Sequence, residues 1–319
     1  MDEFALIEKF FANQGVDRAD VRLGIGDDAA VTTLHGDYEL VIATDSICAG
    51  THFPAGTPPE ALGHRCLAVN LSDLAAMGAE PLWCTLVLSL PSAEADWLAA
   101  FANGFFDLAR RFDVALIGGD TVRGALAMTV TVHGRVRPGK YVGRAGAGSG
   151  QGIYVTGDTG EAGAGLRLLT DSAPDVASSG EHLTRRFLYP EPRVNEARLL
   201  GELATAMIDI SDGLHVDLLK MLDASQVGGD LDTRSVRLSN ELQACCGADE
   251  ALELALTGGD DYELCFTVPQ EKEGRLAELC EQIECPVTRI GETSEEPGAR
   301  WMNQHGPYHV KTSSFRHFG

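Results

Sequence analysis

Aspartate is the residue type in this chain best placed to do chemistry. Six short segments set one or two aspartates after an apolar stretch, beside residues that permit tight turns or add a hydroxyl. They are Gly24-Ile25-Gly26-Asp27-Asp28, Ala43-Thr44-Asp45-Ser46, Asn70-Leu71-Ser72-Asp73, Gly118-Gly119-Asp120-Thr121, Asp209-Ile210-Ser211-Asp212-Gly213 and Gly258-Gly259-Asp260-Asp261. Any one alone reads more simply as a turn or helix-cap aspartate; the repetition is the signal. Carboxylates that converge repel by something on the order of 4 kcal/mol per close pair at an effective dielectric of 20, and divalent cations remove that cost. Oxygen donors from Asp, Thr and Ser suit Mg²⁺ rather than zinc, and Mg²⁺ usually shares its shell with substrate phosphates. The chemistry such a set could do is ATP-dependent phosphoryl transfer, with metal ions neutralising charge on the transferred group.

The elements that must position these aspartates read as α/β. Apolar periodicity predicts strands at 38–43, 83–90, 114–117 and 126–136 and helices at 59–77 and 94–112. The second helix is the clearest, because Trp97, Phe101, Phe105, Leu108 and Phe112 recur at steps of three and four. Beyond a glycine-rich run at 143–152 the pattern restarts. Strands are expected at 153–156, 207–210, 262–268 and 286–290, and helices at 164–169, 195–206, from 214 and at 271–283. Asp45, Asp120 and Asp209 then fall at or just past strand ends, where open α/β sheets place ligands. Asp73 lies inside a helix, four residues after Val69 and seven after Cys66 on the face expected to be buried. A carboxylate there requires protonation, a partner or a metal.

At 319 residues the chain is comfortable for two domains, taken as 1–137 and 150–319 on either side of the glycine-rich run. A net charge of −22, from 47 acidic and 25 basic residues, argues against nucleic acid or an anionic membrane surface as partner. The eight cysteines form no CxxC pair or zinc-spaced cluster and read as reduced core residues. With no signal peptide and no apolar run of roughly 18 residues, a cytoplasmic address is expected.

The common nucleotide motifs are missing: there is no GxxxxGK[ST] and no kinase-type HRD or DFG segment. The run at 143–152 and the turn at 156–163 are candidates for backbone contacts to phosphate, the former equally a linker, with Arg144 as a cation inside it. His52 reads as a surface loop residue or, beside Asp45, as a donor to a phosphate.

Taken in order, LGIGDDAAV, ATDSICAGTHF, AVNLSDLAAMGAEP, LIGGDTVRG, YVTG, IDISDGL and LTGGDDYELCF resemble the motif series of the thiamine-monophosphate kinase family. That family belongs to the aminoimidazole ribonucleotide synthetase superfamily, and the resemblance covers nearly the whole chain. It implies transfer of the ATP γ-phosphoryl group to thiamine monophosphate, giving thiamine diphosphate in the last step of that cofactor's synthesis. It also implies two α/β domains (α+β by another convention), a homodimer paired through the N-terminal sheets, and several Mg²⁺ ions. By motif, Asp28, Thr44, Asp45, Asp73, Asp120, Asp209 and Asp212 match magnesium ligands. Gly119, Asp120, Arg144 and Ser211 match ATP contacts, and His52, Asp260 and Phe315 match contacts to thiamine phosphate. Three positions depart from the family: Ala43 where Ser is frequent, Asp260 where Glu is common, and Phe315 where Tyr is usual.

Two rivals stand beside the kinase. A synthetase of the same superfamily would keep fold and ATP but change the acceptor, although no reactive Cys with a nearby Lys precedes the first glycine-rich motif, as a selenium enzyme would need. A non-catalytic Ca²⁺ binder would require a DxDxDG loop, which is absent.

Overall fold

The computed structural model describes residues 3–12, 14–26, 29–170 and 179–311. Its contacts divide the chain into two units, Met1–Leu74 with Ala79–Gly139, and Lys140–Gly319 with Ala75–Gly78.

The first unit contains α1 (Glu3–Ile7), the two-stranded pair β1 (Val21–Leu23) and β2 (Val31–Thr32), then β3 (Glu39–Cys48), α2 (Pro59–Ala76), β4 (Glu80–Leu90), α3 (Ala95–Arg111), β5 (Ala115–Arg123) and β6 (Ala127–Val136). The main sheet has the order β3-β6-β4-β5, antiparallel except for the parallel pair β4–β5. Strand β6 alternates strictly. Met128, Val130 and Val132 are buried while Thr129, Thr131 and His133 are half-exposed, the period-two pattern of a sheet with one face in a core. The expected stripe of α3 is present, with Phe101, Phe105 and Leu108 buried. Helices α2 and α3 touch backbone to backbone: a Cβ on Gly63 would strike the Phe101 carbonyl, and one on Gly104 the Glu60 carbonyl.

The other face of this sheet is left partly apolar and open, with Leu40, Ile42, Val87 and Val122 at 39–57% exposure. Cross-strand register places Ile42 opposite His133 and Val87 opposite Thr129, so these residues share one surface.

The second unit contains β7 (Gly152–Thr156), α4 (Glu161–Thr170), α5 (Ser179–Leu188), α6 (Val194–Leu200), β8 (Ala206–Asp209), α7 (Leu214–Ser225), β9 (Gly228–Asp232), α8 (Asn240–Cys246), α9 (Ala248–Thr257), β10 (Leu264–Val268), α10 (Glu273–Cys280), β11 (Val287–Ser294), β12 (Gly298–Asn303) and β13 (Gly306–Tyr308). Its seven strands take the order β13-β12-β9-β11-β7-β10-β8. Ile153, Val155, Ile208 and Cys265 pack with Leu218 and Leu222 of α7 in one core cluster. Tyr154 and Phe266, stacked at 5.6 Å, alternate with them, and the Tyr154 hydroxyl donates to Glu273 at the start of α10.

Several boundaries differ from the sequence reading. Strands β3 and β5 run on through Asp45 and Asp120 instead of ending before them. The helix expected over 195–206 stops at Leu200, the one expected over 271–283 spans Glu273–Cys280, and the strand expected from 286 runs to Ser294. Of the cysteines, all unpaired, only Cys66, Cys84 and Cys265 are buried. No helix among the described residues is long and apolar enough to cross a membrane.

Candidate active site

In the first unit the aspartates are set by α2 and the sheet. Asn70, fully buried, accepts from the Asp45 backbone N–H through Oδ1 at 2.8 Å, while its Nδ2 donates to the Cys66 carbonyl at 2.9 Å. This ties β3 to α2 at the point where Asp45 leaves the core. Asp73 follows Asn70 by three residues, one helical turn along. It is half-exposed rather than buried, although Asn70, Leu71, Ser72 and Leu74 around it on α2 are all buried.

Asp120 stands elsewhere. It pairs with Val87, one row from the Leu86–Gly119 pair, whereas Asp45 pairs with Val130 on the helix-covered face. Strands β3 and β5 are three steps apart in the sheet. Gly119 adopts φ +149°, and a Cβ there would strike the Leu86 carbonyl. The backbone therefore approaches β4 more closely than any other residue would allow. Residues 118–121 and 24–26 together line a cavity of about 860 Å³, which Ile7 and Phe11 also line. The first and fourth aspartate motifs thus meet at one cavity, of a size that holds a small ligand. Thr44 points away from Asp45, as neighbours on a strand must, and its hydroxyl donates to Thr131 at 2.9 Å. His52 Nδ1 accepts from the Cys48 N–H at 3.0 Å, which leaves Nε2 as the protonated nitrogen of a neutral ring. Asp28 and Phe315 lie outside the described residues.

In the second unit two motif loops interlock. The Asp260 N–H donates to the Ser211 carbonyl at 2.9 Å, the Tyr262 N–H to the Ile210 carbonyl at 2.8 Å, and the Ile210 N–H to the Glu263 carbonyl at 2.8 Å. Asp260 and Tyr262 both take positive φ, 68° and 52°, a backbone state costing of order 1–3 kcal/mol each in non-glycine residues. The interlock therefore brings Asp209, Ser211, Asp212 and Asp260 to one place. Asp209 is 5% exposed at the end of β8.

Two side-chain groups around these loops escaped the sequence reading, the first of them Asp217 with Lys220. Asp217, in the first turn of α7, accepts the backbone N–H groups of Ser211, Asp212 and Gly213 on Oδ2 at 3.0, 2.8 and 3.1 Å. Lys220 bridges Asp212 at 2.5 Å and Asp217 at 2.8 Å. Burial raises the Asp217 pKa while Lys220 opposes the rise. Burial works to lower the Lys220 pKa, but the two carboxylates prevail and keep the ammonium charged. An acidic residue just inside a helix that follows Asp-Gly was the available signal.

The second is Glu263, fully buried. It accepts from Arg193 at 2.7 and 2.5 Å, from Arg186 at 2.9 Å and from the Thr156 hydroxyl at 2.7 Å. Burial alone would lower the Arg193 pKa, yet the Glu263 charge overrides it and holds the guanidinium ionised. The continuous buried strand that follows Glu263 hid its partners, which lie 70 and 77 residues away.

The two glycine-rich segments resolve differently. In the turn at 156–163 the Gly160 and Ala162 N–H groups already donate to Asp261 at 2.6 and 3.2 Å. These two amides are therefore not open to a phosphate. The run at 143–152 is bound to the second unit: Met207 donates to Gly143, Gly150 to Thr293, and Gly146 and Ala147 to the Ser225 hydroxyl. Arg144 is exposed, its carbonyl held by the same hydroxyl at 2.9 Å.

Among the described residues no three His, Cys, Asp or Glu side chains group closely enough to hold a metal ion by themselves. The donor chemistry nevertheless fits Mg²⁺. That ion takes one or two carboxylates and completes its octahedron with waters and substrate phosphates, and the candidate ligands supply oxygen only.

Comparison with known proteins agrees with this architecture. The AIR synthase related protein N-terminal domain matches residues 26–136 and its C-terminal domain residues 148–302. The thiamine-monophosphate kinase of Escherichia coli K12 is 41% identical over 318 residues, 99% of this chain and 98% of its own. The crystal structure of thiamine-monophosphate kinase from Stenotrophomonas maltophilia K279a superposes with a TM-score of 0.87 at 43% identity, covering 94% of this chain and 96% of the other. AaThiL complexed with AMPPCP and TMP superposes at 0.79 with 30% identity, covering 92% of each chain. The chain belongs to the thiamine-monophosphate kinase family and is built from the two AIR synthase related domains.

Proposed function

We infer that this protein transfers the γ-phosphoryl group of ATP to the phosphate of thiamine monophosphate, giving thiamine diphosphate and ADP. The observation that carries this reading is the 41% identity to a thiamine-monophosphate kinase across 318 residues. Asp28, Thr44, Asp45, Asp73 and Asp120 in the first unit, and Asp209 and Asp212 in the second, are the proposed holders of several Mg²⁺ ions. When bound, those ions neutralise charge on the transferred group and align donor with acceptor. Gly119, Asp120, Arg144 and Ser211 are assigned to ATP. Gly119 lends its backbone beside Asp120, and Arg144 offers a guanidinium to phosphate. His52, Asp260 and Phe315 are assigned to thiamine monophosphate, His52 donating from Nε2. The acceptor is an ionised phosphate, so no general base is required of the protein. The reading requires ADP and thiamine diphosphate to appear one for one from ATP and thiamine monophosphate. Product from free thiamine, which offers a hydroxyl instead, would contradict it.

The same reading makes the protein a cytoplasmic homodimer whose partner covers the open sheet face of the first unit. Leu40, Ile42, Val87 and Val122 are the residues that gain from being covered, since exposed apolar patches mark association surfaces. Sedimentation equilibrium is expected at twice the 34.0 kDa chain mass; a monomer at micromolar concentration would remove the pairing.

A further inference from the structure

We propose that Asp217 and Lys220 are positioning residues that set the Asp209–Gly213 turn before any ligand arrives, a role that rests on the functional reading above. Asp217 gathers three consecutive turn amides on one oxygen and the Lys220 ammonium on the other. Lys220 in turn holds the Asp212 carboxylate. Asp217 is 1% exposed and lies four residues past Gly213, whose φ of +115° starts α7. Both side chains are carried by one helix, which is packed into the core through Leu214, Leu218 and Leu222. The arrangement has two consequences. With their amides turned inward to Asp217, the residues of the turn are held in one backbone shape, the same shape that offers the Ser211 carbonyl to Asp260. And a fixed ammonium beside Asp212 offsets part of the charge that would otherwise drive Asp209, Asp212 and Asp217 apart. Neither residue needs to touch ATP for the turn to depend on it.

Three full-length variants test this: Asp217→Asn, which keeps an oxygen for the amides but loses the charge that holds Lys220, Lys220→Met, and the two combined. The KM for ATP is expected to rise roughly tenfold in each single variant, the usual cost of removing a group that orients a ligand, with a smaller change in kcat. The double variant is expected to be no worse than the poorer single one, because both changes undo one arrangement. Amide hydrogen exchange at residues 211–213 is expected to accelerate in all three, a readout independent of turnover. Lower thermal stability with unchanged KM and unchanged exchange at 211–213 would overturn the proposal, as would losses that multiply in the double variant. If the wild-type protein formed no thiamine diphosphate, the functional reading would fail. The exchange rates would then decide whether the two residues hold the turn.

Discussion

Asp73→Ala is expected to lower kcat about 10³-fold, close to 4 kcal/mol of transition-state stabilisation, while the protein remains folded. The carboxylate sits one turn beyond Asn70, whose side chain pins the Asp45 backbone at 2.8 Å. Helix α2 is itself immobilised against α3 through Gly63 and Gly104. The position of Asp73 is thus set by the packing of α2. Alanine is the best helix former and removes a half-exposed polar group, so the melting temperature should hardly move. Loss of a metal-holding oxygen, by contrast, removes charge stabilisation that exists only when phosphoryl transfer is under way. Steady-state kinetics and thermal denaturation of one variant separate the two. A kcat within about threefold of wild type, less than roughly 1 kcal/mol, would remove Asp73 from the site.

Arg193→Met is expected to destabilise the second unit by about 3–5 kcal/mol, the cost of breaking a buried ion pair from one side. Glu263 is fully buried and Arg193 supplies two of its hydrogen bonds, at 2.7 and 2.5 Å. Arg186 remains at 2.9 Å but also serves Glu161 at 3.0 Å, so it cannot replace the lost fork. Domains are stable by only about 5–15 kcal/mol, and a loss of this size would show as a large fall in the denaturant midpoint. Arg193→Lys should recover only part of it, since an ammonium cannot reproduce the bidentate contact. The damage should also reach the site, because the Glu263 carbonyl receives the Ile210 N–H that locks the two motif loops together. A midpoint unchanged by Arg193→Met would mean that Glu263 is held by its other partners alone.

What the sequence made legible was periodic. The stripe of α3 and the alternation of β6 follow from side chains meeting one core, and both elements appear where the spacing puts them. Glycines misled. Gly118-Gly119 reads as the end of a strand, yet β5 continues because parallel pairing with β4 supplies its hydrogen bonds and Gly119 is needed for close approach. Strand β9 begins Gly228-Gly229 for a related reason: a Cβ on Gly228 would strike the Glu296 carbonyl. Helix α5 gives little signal because, among its described side chains, only Leu183 and Phe187, four residues apart, are buried in an otherwise polar segment. Within the candidate site the aspartates were visible from residue type and local grammar. Asp217, Lys220 and the Glu263 network were not, because their meaning lies in which backbone amides and distant arginines they meet after folding.

The central claim is a direct transfer of phosphoryl from ATP to a phosphate acceptor. It is tested most directly by incubating the protein with γ-labelled ATP and thiamine monophosphate, with and without Mg²⁺, and locating the label. The account predicts label in the terminal phosphate of thiamine diphosphate only when Mg²⁺ is present, and none retained on the protein. Label released solely as inorganic phosphate, or thiamine diphosphate formed equally well without a divalent cation, would contradict it.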